Sequence, residues 1–301
     1  MLRPGQGMPC PYKGNNQIPM LKIENLHYTY EDGTPALNGI DLEIERGAFL
    51  AVLGSNGSGK TTLIKHLNGL LHPTLGRVLL DGKPIERVED REVFSRIGIV
   101  FQDPNDQLFA STVEEDVAFG PTNMGLAPQE IKERVHKALH QVGMQDFARK
   151  GIHALSHGQK KRICIAGILA MQPQVIILDE PTAGLDPMGV HNLMHLLEDL
   201  NKKEGITMIM ATHVVDLVPL FMSKIAILSK GKVLRCGTPG EVFGDSEAIE
   251  KAKLNLPLVA ELMHILKTRD HVKLHHIPLT VGEARREILR LLSVQDVVSR
   301  V

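Results

Sequence analysis

From residue 21 to about residue 237, short β-like runs alternate with stretches of helical periodicity. Residues 21–23, 40–44 and 77–80 are brief apolar-rich runs, two of them bounded by Gly and Asp, which predicts strands of a small sheet. By contrast, residues 175–178, 207–210 and 225–228 are continuously apolar or nearly so. Strands buried on both faces of a parallel sheet read that way. Between residues 103 and 171 the pattern is mostly helical, which predicts a helical subdomain inserted into an α/β core. The character changes after Gly237. Thr238-Pro239-Gly240-Glu241 spells a capping box with proline at the first helical position. Thr280-Val281-Gly282-Glu283 repeats the device before a helical run at 284–292. Residues 238–301 are therefore expected to form a small, mainly helical accessory domain. Residues 1–19, rich in Gly, Pro and Asn, are expected to be a disordered tail, with Met20 an alternative start.

One loop carries most of the chemistry. The apolar run 49–53 leads into Gly54-Ser55-Asn56-Gly57-Ser58-Gly59-Lys60-Thr61-Thr62, and the helical run 63–67 follows. Strand, glycine-rich loop and helix in that order make a P-loop. The glycines let the backbone turn its amides inward, and the new helix adds free N–H groups and its positive end. Lys60 is expected on the β- and γ-phosphates of a nucleotide, and Thr61 on Mg²⁺.

The apolar strand 175–178 ends in two adjacent acids, Asp179 and Glu180. Successive strand side chains point to opposite faces, so the two acids are expected to have different tasks. Asp179 suits the Mg²⁺ shell, and Glu180 suits the base that polarises an attacking water. Just upstream stands Leu155-Ser156-His157-Gly158-Gln159, leading into an amphipathic stretch that ends before Pro173. Ser156 is expected to cap that helix, with Lys160, Lys161 and Arg162 crowded at its positive end. Such crowding is unfavourable unless a negative partner approaches.

The totals narrow the classes. A chain of 301 residues can bury a substantial core, and a formal charge of −1 gives no basic field for nucleic acid. The longest strongly apolar stretch, 163–171, is too short to cross a bilayer. Cys10, Cys164 and Cys236 include no pair at metal-ligand spacing, and the adjacent His275 and His276 lack it too.

From residue 21 to about 237 the chain resembles the nucleotide-binding subunits of ATP-binding-cassette (ABC) transporters. The resemblance implies an α/β P-loop fold: a RecA-like parallel sheet core, an N-terminal antiparallel β subdomain and an inserted helical subdomain. By that resemblance Tyr30 is the platform for adenine, and Gln102 contacts Mg²⁺ and water. His213 is the switch histidine on the γ-phosphate, and Asp186, in Ala183-Gly184-Leu185-Asp186, speaks across a dimer. ATP is expected between one chain's P-loop and the other chain's Ser156, His157, Gly158 and Gln159. His157 departs from the family's usual glycine, which puts a titratable ring near that seam.

Residues 102–109 and 112–121, together with 155–162, look like the energy-coupling-factor importers, especially the cobalt or nickel branch. That likeness implies a second ATPase subunit, identical or paralogous, with the C-terminal accessory domain, residues 238–301, holding the two together. It also implies an integral membrane coupling subunit, a substrate-binding membrane subunit, and a peripheral position on the cytoplasmic face of the cell membrane. The acidic run 114–116 beside Phe109 and Phe119 is expected to receive a basic, amphipathic helix of the coupling subunit. A vitamin importer and a soluble iron–sulfur-assembly cassette stay open as alternatives. A translation-associated protein would carry two cassettes, and a DNA-repair cassette a long heptad insertion.

Overall fold

A computed structural model describes residues 18–298. The first 17 residues of the expected tail lie outside the described residues. Met20, by contrast, is fully buried.

The chain opens with β1 (Leu21–Thr29), β2 (Pro35–Ile44) and β3 (Phe49–Leu53), followed by α1 (Lys60–Leu67). Then come β4 (Leu75–Leu80), β5 (Lys83–Pro84), α2 (Asp90–Arg96) and β6 (Ile97–Val100). Three helices follow without an intervening strand: α3 (Val113–Asn123), α4 (Pro128–Gln141) and α5 (His157–Leu169). Next are β7 (Val175–Asp179), α6 (Pro187–Glu204), β8 (Thr207–Thr212), α7 (Val218–Phe221), β9 (Lys224–Ser229) and β10 (Lys232–Gly237). The chain ends in α8 (Pro239–Phe243), α9 (Ser246–Ala252), α10 (Leu258–Thr268) and α11 (Val281–Val298).

Two sheets result. The first is antiparallel, in the order β2-β1-β4-β5, and the second runs β10-β9-β3-β8-β7-β6. All neighbours in the second sheet are parallel except the edge strand β10. Every residue of β3, β7 and β8 is buried, which is why those runs carry no polar alternation. The period of two survives in the packing. Phe49, Ala51, Leu53, Ile176 and Leu178 pack into a cluster with the inserted helices and α6, while Leu50, Val52, Val175 and Ile177 join the antiparallel sheet and α1.

Helices α3, α4 and α5 pack on one another and form the expected inserted unit. Helices α8 and α9 add Val242, Phe243, Ala248 and Ile249 to the main core, while α10 and α11 leave much apolar surface exposed. Local signals set the helix ends. Thr238 Oγ1 accepts from Glu241 N–H, and Glu241 returns the bond to Thr238 N–H, as a capping box requires. At α11 the device differs: Thr280 Oγ1 accepts from Glu283 N–H, but the Glu283 carboxylate reaches Leu279 N–H.

Candidate active site

The carboxyl edge of the parallel sheet gathers the predicted residues at one cavity of about 570 Å³. The loop between β3 and α1 supplies Asn56, Gly57, Ser58 and Gly59, and the first turn of α1 supplies Lys60, Thr61 and Thr62. Gln102 follows β6, Asp179 and Glu180 close β7, His213 follows β8, and Tyr30 follows β1. Parallel strands all end on the same side, so residues distant in sequence meet there. Gly59 is essential to the cradle's shape. Its φ is 104°, and a Cβ would lie 2.9 Å from the Ala36 carbonyl oxygen.

Gly54 and Ser55 do not line the cavity; their carbonyls hold its lysine. Lys60 Nζ donates to Gly54 O at 2.9 Å and to Ser55 O at 3.4 Å, and lies 3.9 Å from Glu180 Oε1. The other Glu180 oxygen, Oε2, is 2.9 Å from His213 Nδ1. Thr61 Oγ1 donates to Asp179 Oδ2 at 2.8 Å. Burial holds the Asp179 carboxyl above the usual carboxylate range, partly opposed by that hydroxyl. Tyr30 Oη and Thr62 Oγ1 share a hydrogen bond of 2.8 Å, and the Tyr30 ring meets Tyr28 edge to face. The sequence reading missed three lining residues: Thr34, Pro35 and Ala36. Their signal was the Asp32-Gly33 turn that folds β2 back toward Tyr30.

Ser156, His157, Gly158, Gln159 and Asp186 do not line this cavity. Ser156 caps α5 as expected, and its hydroxyl accepts from Gln159 N–H at 3.3 Å. Asp186 caps α6, accepting from Gly189 N–H. The three cations after the cap find neutral hydrogen-bond acceptors within the chain. Lys160 Nζ donates to Asn105 Oδ1 at 2.7 Å, Arg162 to Val142 O at 2.8 Å, and Lys161 turns inward to backbone carbonyls. The acidic run at the start of α3 needs revision. Glu115 completes a capping box with Thr112, and Asp116 accepts from the Phe109 and Ala110 N–H groups. Glu114 alone of the three is exposed with no side-chain partner among the described residues.

A glycine-rich loop, a lysine, a hydroxyl beside a carboxylate, and a second carboxylate against a histidine can bind a nucleoside triphosphate and activate water toward it. The family model for ABC transporters matches residues 37–183. The energy-coupling factor transporter ATP-binding protein EcfA of Methanocaldococcus jannaschii is 52% identical over 275 residues, 91% of this chain and 98% of that one. EcfA2 of Clostridium perfringens is 49% identical over 271 residues, covering 89% of this chain and 95% of that relative. This chain belongs to the ATP-binding subunits of ABC transporters, of the energy-coupling-factor type. Among solved structures, cbiO1 of Clostridium perfringens, described as part of the ABC transporter complex cbiONQ, superposes with a TM-score of 0.72. It is 49% identical, covering 83% of this chain and all of that one. A dimeric cassette, MJ0796, is 31% identical with a TM-score of 0.66, over 73% of this chain and 98% of its own.

Membership of that family carries the activity: an ABC ATPase couples ATP hydrolysis to transport. Among the described residues no helix is long and apolar enough to cross a membrane.

Proposed function

We propose that this chain is one of two cassettes that drive an energy-coupling-factor importer from the cytoplasmic face of the membrane, with cobalt or nickel ion as cargo. A separation carries the two-cassette reading. The P-loop, Gln102, Asp179, Glu180 and His213 share a cavity that the loop from Ser156 to Gln159 and Asp186 do not enter. Each chain therefore offers half of two sites. In this reading ATP lies on residues 54–62 of one subunit with its adenine on Tyr30, and Ser156, His157, Gly158, Gln159 and Asp186 of the other subunit close over it.

Thr61, Gln102 and Asp179 fit Mg²⁺, since they offer hard oxygen donors and a hydroxyl already sits 2.8 Å from a buried carboxylate. Bound there, the ion would neutralise charge on the β- and γ-phosphates. Glu180 orients and polarises the attacking water, and His213, held by Glu180, faces the γ-phosphate. Loss of that phosphate removes the contacts that keep the seam shut.

The membrane partner's docking site is an apolar cavity of about 490 Å³, lined by Phe94, Phe109, Phe119, Met124, Ile168 and Met171. Phe109 and Phe119 stand edge to face at its exposed rim. A partner helix with apolar and basic faces fits this groove, with Glu114 as the available acid. The exposed Leu258, Leu262 and Ile265 of α10 and Ile288, Leu289 and Leu292 of α11 suit the accessory domain as the element that holds two ATPase subunits together.

The test uses the complex isolated through a tag on this chain. Glu114→Arg should reduce the stimulation of ATP hydrolysis by the co-purified membrane subunit, leaving α3 capped. Undiminished stimulation would count against the docking site. Uptake by vesicles containing the complex should follow labelled cobalt or nickel. Movement of a vitamin and no metal would overturn the cargo assignment.

A further inference from the structure

Lys161 is 2% exposed and has no ion-pair partner among the described residues. Burying an unpaired ammonium is costly, and the burial pulls its pKa down. What it has instead is three backbone carbonyls: Ala183 O at 2.7 Å, Pro181 O at 2.8 Å and Glu180 O at 3.4 Å. An ammonium carries three donors, so this set matches it one for one. These carbonyls belong to a single turn, closed by Ala183 N–H donating to Glu180 O at 3.1 Å.

That turn begins under strain. Glu180 has φ of 45°, a left-handed conformation unfavourable for any residue with a Cβ. The Glu180 N–H is tied to Ala211 O at 2.9 Å, and the Lys161 ammonium holds the other side. Between the two anchors, the carboxylate is aimed at Lys60 and His213. A second residue of α5 reaches the same segment. His157 lies four residues before Lys161, on the same helix face. Its ring packs against Gly184, where a Cβ would come within 3.2 Å of Nε2.

We propose that Lys161 is a positioning residue for hydrolysis, clamping the turn 180–183 so that Glu180 stays aimed into the nucleotide cavity. The clamp also makes α5, the helix capped by Ser156, and the loop leading to Asp186 move as one piece. Both surfaces expected to meet the second cassette are then joined through one side chain. The inference rests on the reading of Glu180 as the hydrolytic carboxylate.

The experiment measures ATP hydrolysis and equilibrium ATP binding by the complex isolated through this chain, carrying Lys161→Met, Lys161→Gln or Glu180→Gln. Methionine keeps the volume and removes all three donors, so kcat should fall by about 100-fold, the scale of a 1 Å misplacement. KM and ATP affinity should stay within about 2-fold, because the P-loop is untouched. Glutamine keeps two N–H donors and should fall between methionine and wild type; it also serves if the methionine variant does not fold. A kcat within about 2-fold of wild type in both Lys161 variants overturns the proposal, as does a loss of kcat matched by an equal loss of ATP binding. Glu180→Gln separates the two readings. If it hydrolyses ATP normally, the assignment of Glu180 fails; if it is inactive while both Lys161 variants are normal, only the clamp fails.

Discussion

Glu180→Gln exchanges one carboxylate oxygen for an amide and keeps the side chain's size. In the structure this removes a charge 3.9 Å from Lys60 Nζ and 2.9 Å from His213 Nδ1. At an effective dielectric constant of about 20, the lost attraction to Lys60 is about 4 kcal/mol before desolvation. Most of it is offset, because the two charges no longer have to be desolvated together and Lys60 keeps the carbonyls of Gly54 and Ser55. The fold should therefore survive, and ATP should bind at least as well, since a negative group has left the γ-phosphate's surroundings. Hydrolysis is different. An amide can still touch the attacking water but cannot take its proton. General-base catalysis is worth about 100- to 10,000-fold, or about 2.7 to 5.5 kcal/mol of barrier. The expected variant binds ATP, closes against its partner cassette and stays closed. Phosphate release gives the rate, and size-exclusion chromatography with Mg-ATP gives the assembly. Turnover within about 3-fold of wild type, or a variant that stays monomeric with Mg-ATP, would refute the reasoning.

How far the sequence foretold this site depended on how local each signal was. Residues 49–67 announced strand, cradle and helix because that geometry is written in consecutive residues, and the capping boxes at Ser156 and Thr238 rest on a partner three positions away. The fully buried strands were equally legible, since both faces of β7 and β8 must be apolar. Lys161 was not. In sequence it is the middle of three cations, indistinguishable from a solvated cluster, and its burial depends on a turn that arrives about twenty residues later. The acids 114–116 misled for the same reason. Their sequence shows charge, whereas their use is decided by the N–H groups of Phe109, Ala110 and Thr112 that fold back onto them. The edge strand β10 also escaped prediction; pairing to β9 on one side only leaves its sequence weakly patterned.

Tyr30→Leu removes the aromatic face and the hydroxyl bonded to Thr62, and should raise KM for ATP by about 5- to 150-fold, from ~1–3 kcal/mol of stacking. A KM within 2-fold of wild type would deny the ring its role. Burial pushes the Cys164 thiol up to about 12, so about one in ten thousand is thiolate at pH 8. Peptide mapping after brief iodoacetamide treatment should find Cys164 unmodified in the native protein and modified in urea; rapid native labelling would contradict its buried place beneath the apolar groove. Gly98 lets β6 lie directly against α5: a Cβ there would collide with Ile168. Gly98→Ala should therefore destabilise the chain by about 1–3 kcal/mol, the cost of overpacking a dense core. Shortening Ile168 to Ala, which removes the Cγ2 atom that the new Cβ would strike, should give part of it back in the double variant, because the two side chains compete for one volume. Urea midpoints for the four proteins of that cycle measure the coupling. If the two substitutions add without interaction, the contact between sheet and helix is not where the strain lies.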